Sequence, residues 1–126
     1  MTARHDDGTA ALLTTMLALA MLILASGLTV HAAHVMRGAD AARVAADAAA
    51  LAVLSGSSLA GGTGQPDLDT GRQVATANGA TLVGVDTSGW PLSTAVTVAV
   101  DIRGLPPGLR PQLRATAAAR LHPPGD

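Results

Sequence analysis

Histidines are the side chains of this sequence best suited to proton transfer or metal binding, and two of them share one helix face. His31 and His34 are spaced i, i+3, which places two imidazoles side by side on a helix. Two histidines could begin a metal site, but the sequence has no cysteine and no glutamate to complete it. We interpret both as polar residues at the end of an apolar helix, and we predict no metal site.

Three other patterns fall short of a catalytic or ligand-binding motif. Asp67 and Asp69 supply too few oxygen ligands for a calcium loop. Residues 61–64, Gly-Gly-Thr-Gly, lack the lysine of a phosphate-binding loop. No serine, histidine and aspartate are grouped as a nucleophilic triad. We therefore predict that the protein is not an enzyme and uses no cofactor and no small-molecule substrate.

Composition limits the protein to one small, weakly stabilised domain. The chain has 126 residues, a net charge of −1, one tryptophan and no phenylalanine, tyrosine or cysteine. Any core must consist of valine, leucine and alanine, which bury little area each, and no disulfide can stabilise it. Acidic and basic residues are mixed along the chain, so we expect no nucleic-acid partner.

The elements that must position these residues begin with a long apolar segment. Residues 8–36 carry no charged side chain, and residues 10–30 are rich in leucine, alanine and methionine. About 20 apolar residues suffice to cross a membrane as a helix. We predict one retained spanning helix. The alternatives are a cleaved signal peptide, which fits poorly because the leader contains Asp6 and Asp7 and the apolar run is long, and a buried helix of a soluble protein.

The orientation of this helix follows weakly from its flanking charges. Arg4 precedes the apolar run, whereas Arg37 and Arg43 follow it. Taken literally, the positive-inside rule places the C-terminal side in the cytoplasm. The excess is a single residue, and aspartates at positions 40 and 47 stand beside the downstream arginines.

Strong helix formers continue the helix beyond the apolar run, up to Ser55 and Gly56. The alternative is two helices hinged near Gly38. Asp40, Arg43 and Asp47 mark a solvated face. An apolar stripe at helical spacing forms the predicted helix-packing face, which consists of Val44, Ala48, Leu51 and Ala52.

The remainder predicts a linker, a short helix and strands. Residues 56–71 are a Gly-rich linker, and residues 72–77 a helix capped by Asp69 or Thr70. Residues 81–85 form one strand and residues 96–103 a second, with alternate faces: Val96, Val98, Val100 and Ile102 on one, Thr97, Ala99, Asp101 and Arg103 on the other. Residues 113–121 suit a helix by propensity, but their alternation favours a third strand. Trp90 is expected to fill the core or contact a partner. The predicted fold class is α+β.

The order of these features resembles the TadE-like and TadG-like proteins of tight-adherence (Flp) pilus systems. The likeness spans nearly the whole chain: a polar start ending Asp-Asp-Gly-Thr-Ala at residues 6–10, an apolar helix, the pattern Ala-Ala-Asp-Ala-Ala-Ala-Leu-Ala at residues 45–52, a valine-alternating strand and an Ala/Arg-rich end. It is greatest for the small actinobacterial branch encoded beside helicase and secretion genes.

The resemblance implies a minor pseudopilin-like protein that works with a platform protein, a secretion ATPase and the pilin. It implies a cytoplasmic tail at 1–7, a membrane helix with its extension at 8–55, the linker at 56–71 and a small exported α+β part at 72–126. Prepilin-peptidase cleavage would fall between Gly8 and Thr9, and Leu13 would then stand where TadE-type pseudopilins carry a glutamate. The alternative function is a secreted surface or binding protein released by signal cleavage.

Overall fold

The computed structural model describes residues 3–102, 108 and 111–122, with side chains from Asp7 onward. The chain forms helix α1 (Ala3–Leu54), a short 3-10 helix (Ser58–Ala60), helix α2 (Leu68–Ala77) and strands β1 (Thr81–Asp86), β2 (Ser93–Asp101) and β3 (Gln112–Arg120). The long helix, the second short helix and the three-stranded antiparallel sheet confirm the predicted α+β class.

The chain divides into two compact units, Met1–His34 and Val35–Asp126, which we call the N-terminal and C-terminal units. The described part of the N-terminal unit is helical throughout, so the described residues of the predicted tail, 3–7, belong to α1. Residues 1 and 2 of that tail lie outside the described residues.

The core of the C-terminal unit forms where the second half of α1 packs on the sheet. The buried face of α1 is mostly alanine and consists of Ala42, Ala45, Ala46, Ala49, Ala50, Val53 and Leu54. All of these side chains except Ala42 form one core cluster with Val96 and Val98 of β2 and Ala117 and Ala119 of β3. Because alanine side chains are short, the helix can lie close to the sheet. The largest fully buried side chains are valines.

Gly38 is a packing position within α1, which passes through it without a break in helical structure. A Cβ added at Gly38 would lie 3.1 Å from Leu113 Cδ1, so the first part of β3 approaches the helix backbone closely here. The absence of a side chain at this position admits Leu113.

The sheet has the strand order β1-β2-β3, and both pairings are antiparallel. The terminal segment is a strand, as its alternation predicted, because all nine residues of β3 pair with β2. Ala99, on the opposite face of β2 from Val96 and Val98, is also buried, so alternation along β2 does not separate a buried face from an exposed one completely. Its register partners are Thr81 on β1 and Arg114 on β3. Arg103, predicted on the same face, lies outside the described residues.

Helix α2 begins four residues earlier than predicted, and its N-cap is Asp67 instead of Asp69 or Thr70. Asp67 Oδ1 accepts the Thr70 backbone N–H at 3.0 Å, and Oδ2 accepts the Thr70 hydroxyl at 2.8 Å. These hydrogen bonds lower the pKa of Asp67 from its usual 3.8, the backbone bond most strongly, because they favour the charged carboxylate.

The Asp67 cap predicts an acid-dependent loss of stability. A lowered native pKa stabilises the fold at pH values above the ordinary pKa of 3.8, and this contribution disappears as the pH falls through the native pKa. Asp67→Asn keeps a neutral acceptor, so it should be less stable than the parent at pH 6 and approach it near pH 2. Thermal unfolding of both proteins across this range measures the difference. A difference that stays constant with pH would contradict the assignment.

Gly71 of α2 packs directly against α1. A Cβ at this position would lie 2.5 Å from Val53 Cγ2, whose side chain is fully buried. We expect Gly71→Ala to destabilise the fold by about 1–3 kcal/mol through overpacking. Gly84→Ala is the matched control, because its nearest neighbour would lie at 3.8 Å. Thermal unfolding measures the stability of both variants. Adding Val53→Ala to Gly71→Ala should restore part of the lost stability, because it removes the atom that the new Cβ would meet. Stability losses that simply add in the double variant would show that the two side chains do not clash.

Trp90 fills the predicted core role. Its ring packs against the core, and its Nε1–H donates to the Gly64 carbonyl at 3.2 Å. The nearby Ser57 hydroxyl, fully buried, donates to the Pro91 carbonyl at 2.9 Å. The segment predicted as a linker is thus held at both positions to the turn that precedes β2.

Candidate functional site

The most extensive unusual surface of the protein is the apolar part of α1. Every residue from Asp7 to His34 is exposed, and the large side chains between Leu12 and Val30 are 57–74% accessible. Within the described residues, α1 is one helix long and apolar enough to cross a membrane. The same length and composition also fit a signal sequence near the N-terminus.

Polar groups inside this apolar stretch bond within the helix itself. The hydroxyls of Thr14, Thr15, Ser26 and Thr29 each donate to the carbonyl four residues earlier at 2.8 Å. A hydroxyl bonded to its own helix needs no water, which makes it compatible with a hydrocarbon environment. The stretch therefore exposes an almost purely apolar surface.

The positions connected with processing lie at the start of this surface. Gly8 and Thr9 are exposed residues of α1, and a Cβ added at Gly8 would meet nothing within 4 Å. Leu13 is 64% accessible, like its apolar neighbours. Nothing in their geometry tests cleavage, which stays a prediction.

The predicted helix-packing face is not the face that α1 buries against the sheet. Val44 and Leu51 are 59% and 63% accessible, whereas Ala48 and Ala52 are half-buried. Helix α1 thus has two apolar faces beyond residue 40. One is mostly alanine and covers the protein's own sheet. The other, which we call the Val44–Leu51 face, presents the exposed side chains of Val44 and Leu51 and remains open. Binding of another helix there stays a prediction.

The polar candidates do not assemble into a reactive site. His31 and His34 are exposed on α1, and no group of three potential metal ligands forms among the described residues. Asp67 serves as the cap of α2, and Asp69 pairs with Arg72 at 3.1 Å. Both aspartates thus have local structural roles.

Two concave surfaces on the described part of the C-terminal unit include polar side chains. The first, of about 240 Å³, lies beside the turn after β1, where Asp86 accepts the Ser88 N–H at 2.9 Å. This bond lowers the pKa of Asp86 and commits its carboxylate to the turn. The second, of about 320 Å³, lies between α1 and β3 and includes Arg43 and Arg114. Sequence reasoning missed this second groove, although the alternation of residues 113–121 predicted the strand that forms its wall.

Comparison of the chain with protein-family models, with curated proteins and with solved structures finds no match in any of the three.

Proposed function

We propose that this protein is a non-enzymatic, single-pass membrane component of a Tad/Flp-type pilus or secretion apparatus, where it acts as a minor pseudopilin-like subunit. The observation that carries the proposal is the exposed apolar surface of α1 between Leu12 and Val30, which no described part of the chain covers. Transfer of such a surface from water to lipid is strongly favourable, at roughly 25 cal/mol for each Å² removed from water.

The place of the protein in a pilus system is supported by the resemblance of its sequence pattern and by its architecture. An apolar helix whose second half belongs to a small α+β unit provides an anchor and a folded part for contacts with other subunits. The proposed partners are the platform protein, the secretion ATPase and the pilin. The open Val44–Leu51 face offers a surface for lateral packing on a neighbouring helix.

In the proposed orientation the N-terminus is cytoplasmic and the C-terminal unit lies outside the cell. A reporter enzyme that is active only outside the cytoplasm, fused after Asp126, is expected to be active. A second fusion at the same position, carrying a reporter that works only in the cytoplasm, is the control. Activity from the cytoplasmic reporter alone would overturn this orientation.

A secreted surface or binding protein is the second candidate, and one observation favours it. The compact C-terminal unit begins at Val35, so removal of the residues before it would leave that unit whole. Mass spectrometry of the mature N-terminus separates the two functions. We expect a mature chain that retains residues 10–30; a start near His34 would defeat the anchor and support release. A mature start at Thr9 would show prepilin-peptidase processing.

A further inference from the structure

Among the described residues no strand pairs with the outer edge of β3, which borders the groove between this strand and α1. The sheet ends at β1 on one side and at β3 on the other. The groove wall on the strand side consists of Leu113–Thr116, and the helix side consists of Ala39, Asp40, Ala42 and Arg43. A sheet edge offers unpaired backbone donors and acceptors to any strand that can reach it.

One hydrogen bond determines which β3 residues face outward. The Leu121 N–H donates to the Leu92 carbonyl at 2.8 Å, continuing the register in which Ser93 pairs with Arg120. Because antiparallel residues alternate in direction, the backbone groups of residues 113, 115, 117 and 119 also face β2. Those of Gln112, Arg114, Thr116, Ala118 and Arg120 point away from the sheet.

A side-chain contact agrees with this assignment. Antiparallel pairs that do not exchange backbone hydrogen bonds bring their side chains closest together. The hydroxyls of Thr97 and Thr116, which are register partners, lie 2.7 Å apart. Thr116 therefore directs its backbone groups to the free edge.

The two edges of the sheet differ in regularity. Strand β1 has six residues, and its register shifts between Leu82 and Gly84, an irregularity that discourages further pairing. Strand β3 pairs through nine residues without a shift. Only β3 offers a long regular edge.

From these observations we propose that the β3 edge accepts an extended acidic segment of another subunit of the assembly as a fourth strand. The edge supplies backbone pairing through Arg114, Thr116 and Ala118. The groove supplies selectivity: Ala39, Ala42 and Leu113 suit small apolar side chains, and Arg43 and Arg114, which outnumber the single acidic residue Asp40, suit a carboxylate. Among the described residues neither arginine forms an ion pair.

A second copy of this chain fits the edge poorly, whereas the choice of another subunit as the partner rests on the proposed function. Strand β3 carries Arg114 and Arg120 and no acidic residue, so pairing of two β3 edges brings like charges together. Pairing of β3 with another copy's β1 would meet the irregular edge described above.

Amide hydrogen exchange of the full chain in detergent tests whether the edge is free. We expect the amides of Thr116 and Ala118 to exchange at least about tenfold faster than those of Ala115 and Ala117, because only the latter donate within the sheet. Equal protection of all four would show that another part of the chain already covers the edge, and would overturn the proposal.

Photo-crosslinking in cells tests the occupant, with a photoreactive residue replacing Thr116. The matched control carries the same residue at Val83 on the β1 edge, a position 47% accessible. We expect an adduct with a different protein from Thr116 only, attached within an extended acidic segment of it. An adduct of twice the chain mass would identify a second copy and overturn the proposal, as would the lack of any adduct.

Three further substitutions, of which Ala118→Val is the control, show whether the adduct depends on strand pairing and charge. Ala118→Pro removes an outward N–H while leaving the bonds to β2, and Ala118→Val retains that N–H. We expect the proline variant and Arg114→Glu each to lower the adduct yield about tenfold, the effect of one lost hydrogen bond or charge contact. An adduct that survives both changes would overturn the proposal.

Carbonate extraction of the same cells separates this inference from the proposed function. A chain that stays in the membrane without forming the adduct refutes the β3 edge alone. A chain released by carbonate refutes the membrane anchor, whatever the adduct shows.

Discussion

Leu22→Arg is expected to reduce the carbonate-resistant membrane fraction of this protein. Leu22 lies in the middle of the apolar stretch of α1 and is 64% accessible. Arginine at the centre of a spanning helix costs about 2.5–3.5 kcal/mol of insertion free energy, roughly two orders of magnitude in the insertion equilibrium. Membrane fractionation followed by carbonate washing measures the effect.

Leu51→Arg is the matched control for this experiment. Leu51 belongs to the same helix, has nearly the same accessibility of 63%, and lies beyond the predicted span. We expect its membrane retention to equal that of the parent chain. Unchanged retention of Leu22→Arg would argue against the span, and equal losses for both variants would show that depth in the membrane has no part in the effect.

Trp90→Ala is expected to have the largest effect on the folded C-terminal unit. Trp90 is the one aromatic residue of the chain, and it packs against a core of alanine and valine. Because the ring is half-buried, we expect a loss near the lower end for such substitutions, about 3 kcal/mol. A small domain is stable by only about 5–15 kcal/mol in total, so this loss is a large fraction.

Thermal unfolding of the full chain in detergent, followed through the amide signals of β2, measures this loss. A loss of that size lowers the melting temperature by roughly 12–24 °C for a domain of this size. Trp90→Phe is the control: it keeps a ring in the core but loses the hydrogen bond to Gly64, which is worth about 1 kcal/mol. Equal melting of Trp90→Ala and the parent would show that the ring adds nothing to stability.

Most of the fold could be predicted from local sequence patterns. The apolar run and the helix formers after it predict α1, and alternation predicts β2 and β3. The start of α2 could not be predicted from composition, because Asp67, Asp69 and Thr70 are all acceptable caps. In the structure, the backbone N–H of Asp67 donates to the Val53 carbonyl at 3.1 Å. This tertiary hydrogen bond holds Asp67 at the point where α2 begins, so Asp67 is the residue that caps the helix.

The candidate surfaces could be predicted from the sequence less fully than the helices and strands that carry them. The exposed apolar part of α1 could be predicted from composition, because a run of uncharged apolar residues of this length has few structures open to it other than a membrane-spanning helix. The groove beside β3 depends on Leu113 and Arg114 meeting α1 near Gly38 and Arg43, residues about 70 positions apart. No local pattern encodes that meeting.

The sequence by itself determined the length of the apolar helix, the order and approximate positions of the strands and the makeup of the core. Each of these depends on the period or composition of neighbouring residues. Only the tertiary structure decided that α1 buries its alanine face, which includes Ala45 and Ala49, and leaves Val44 and Leu51 open. Alanine and valine are both apolar enough for either role, so the choice depends on shape: short side chains let the helix approach the sheet, and the larger ones are left on the outside.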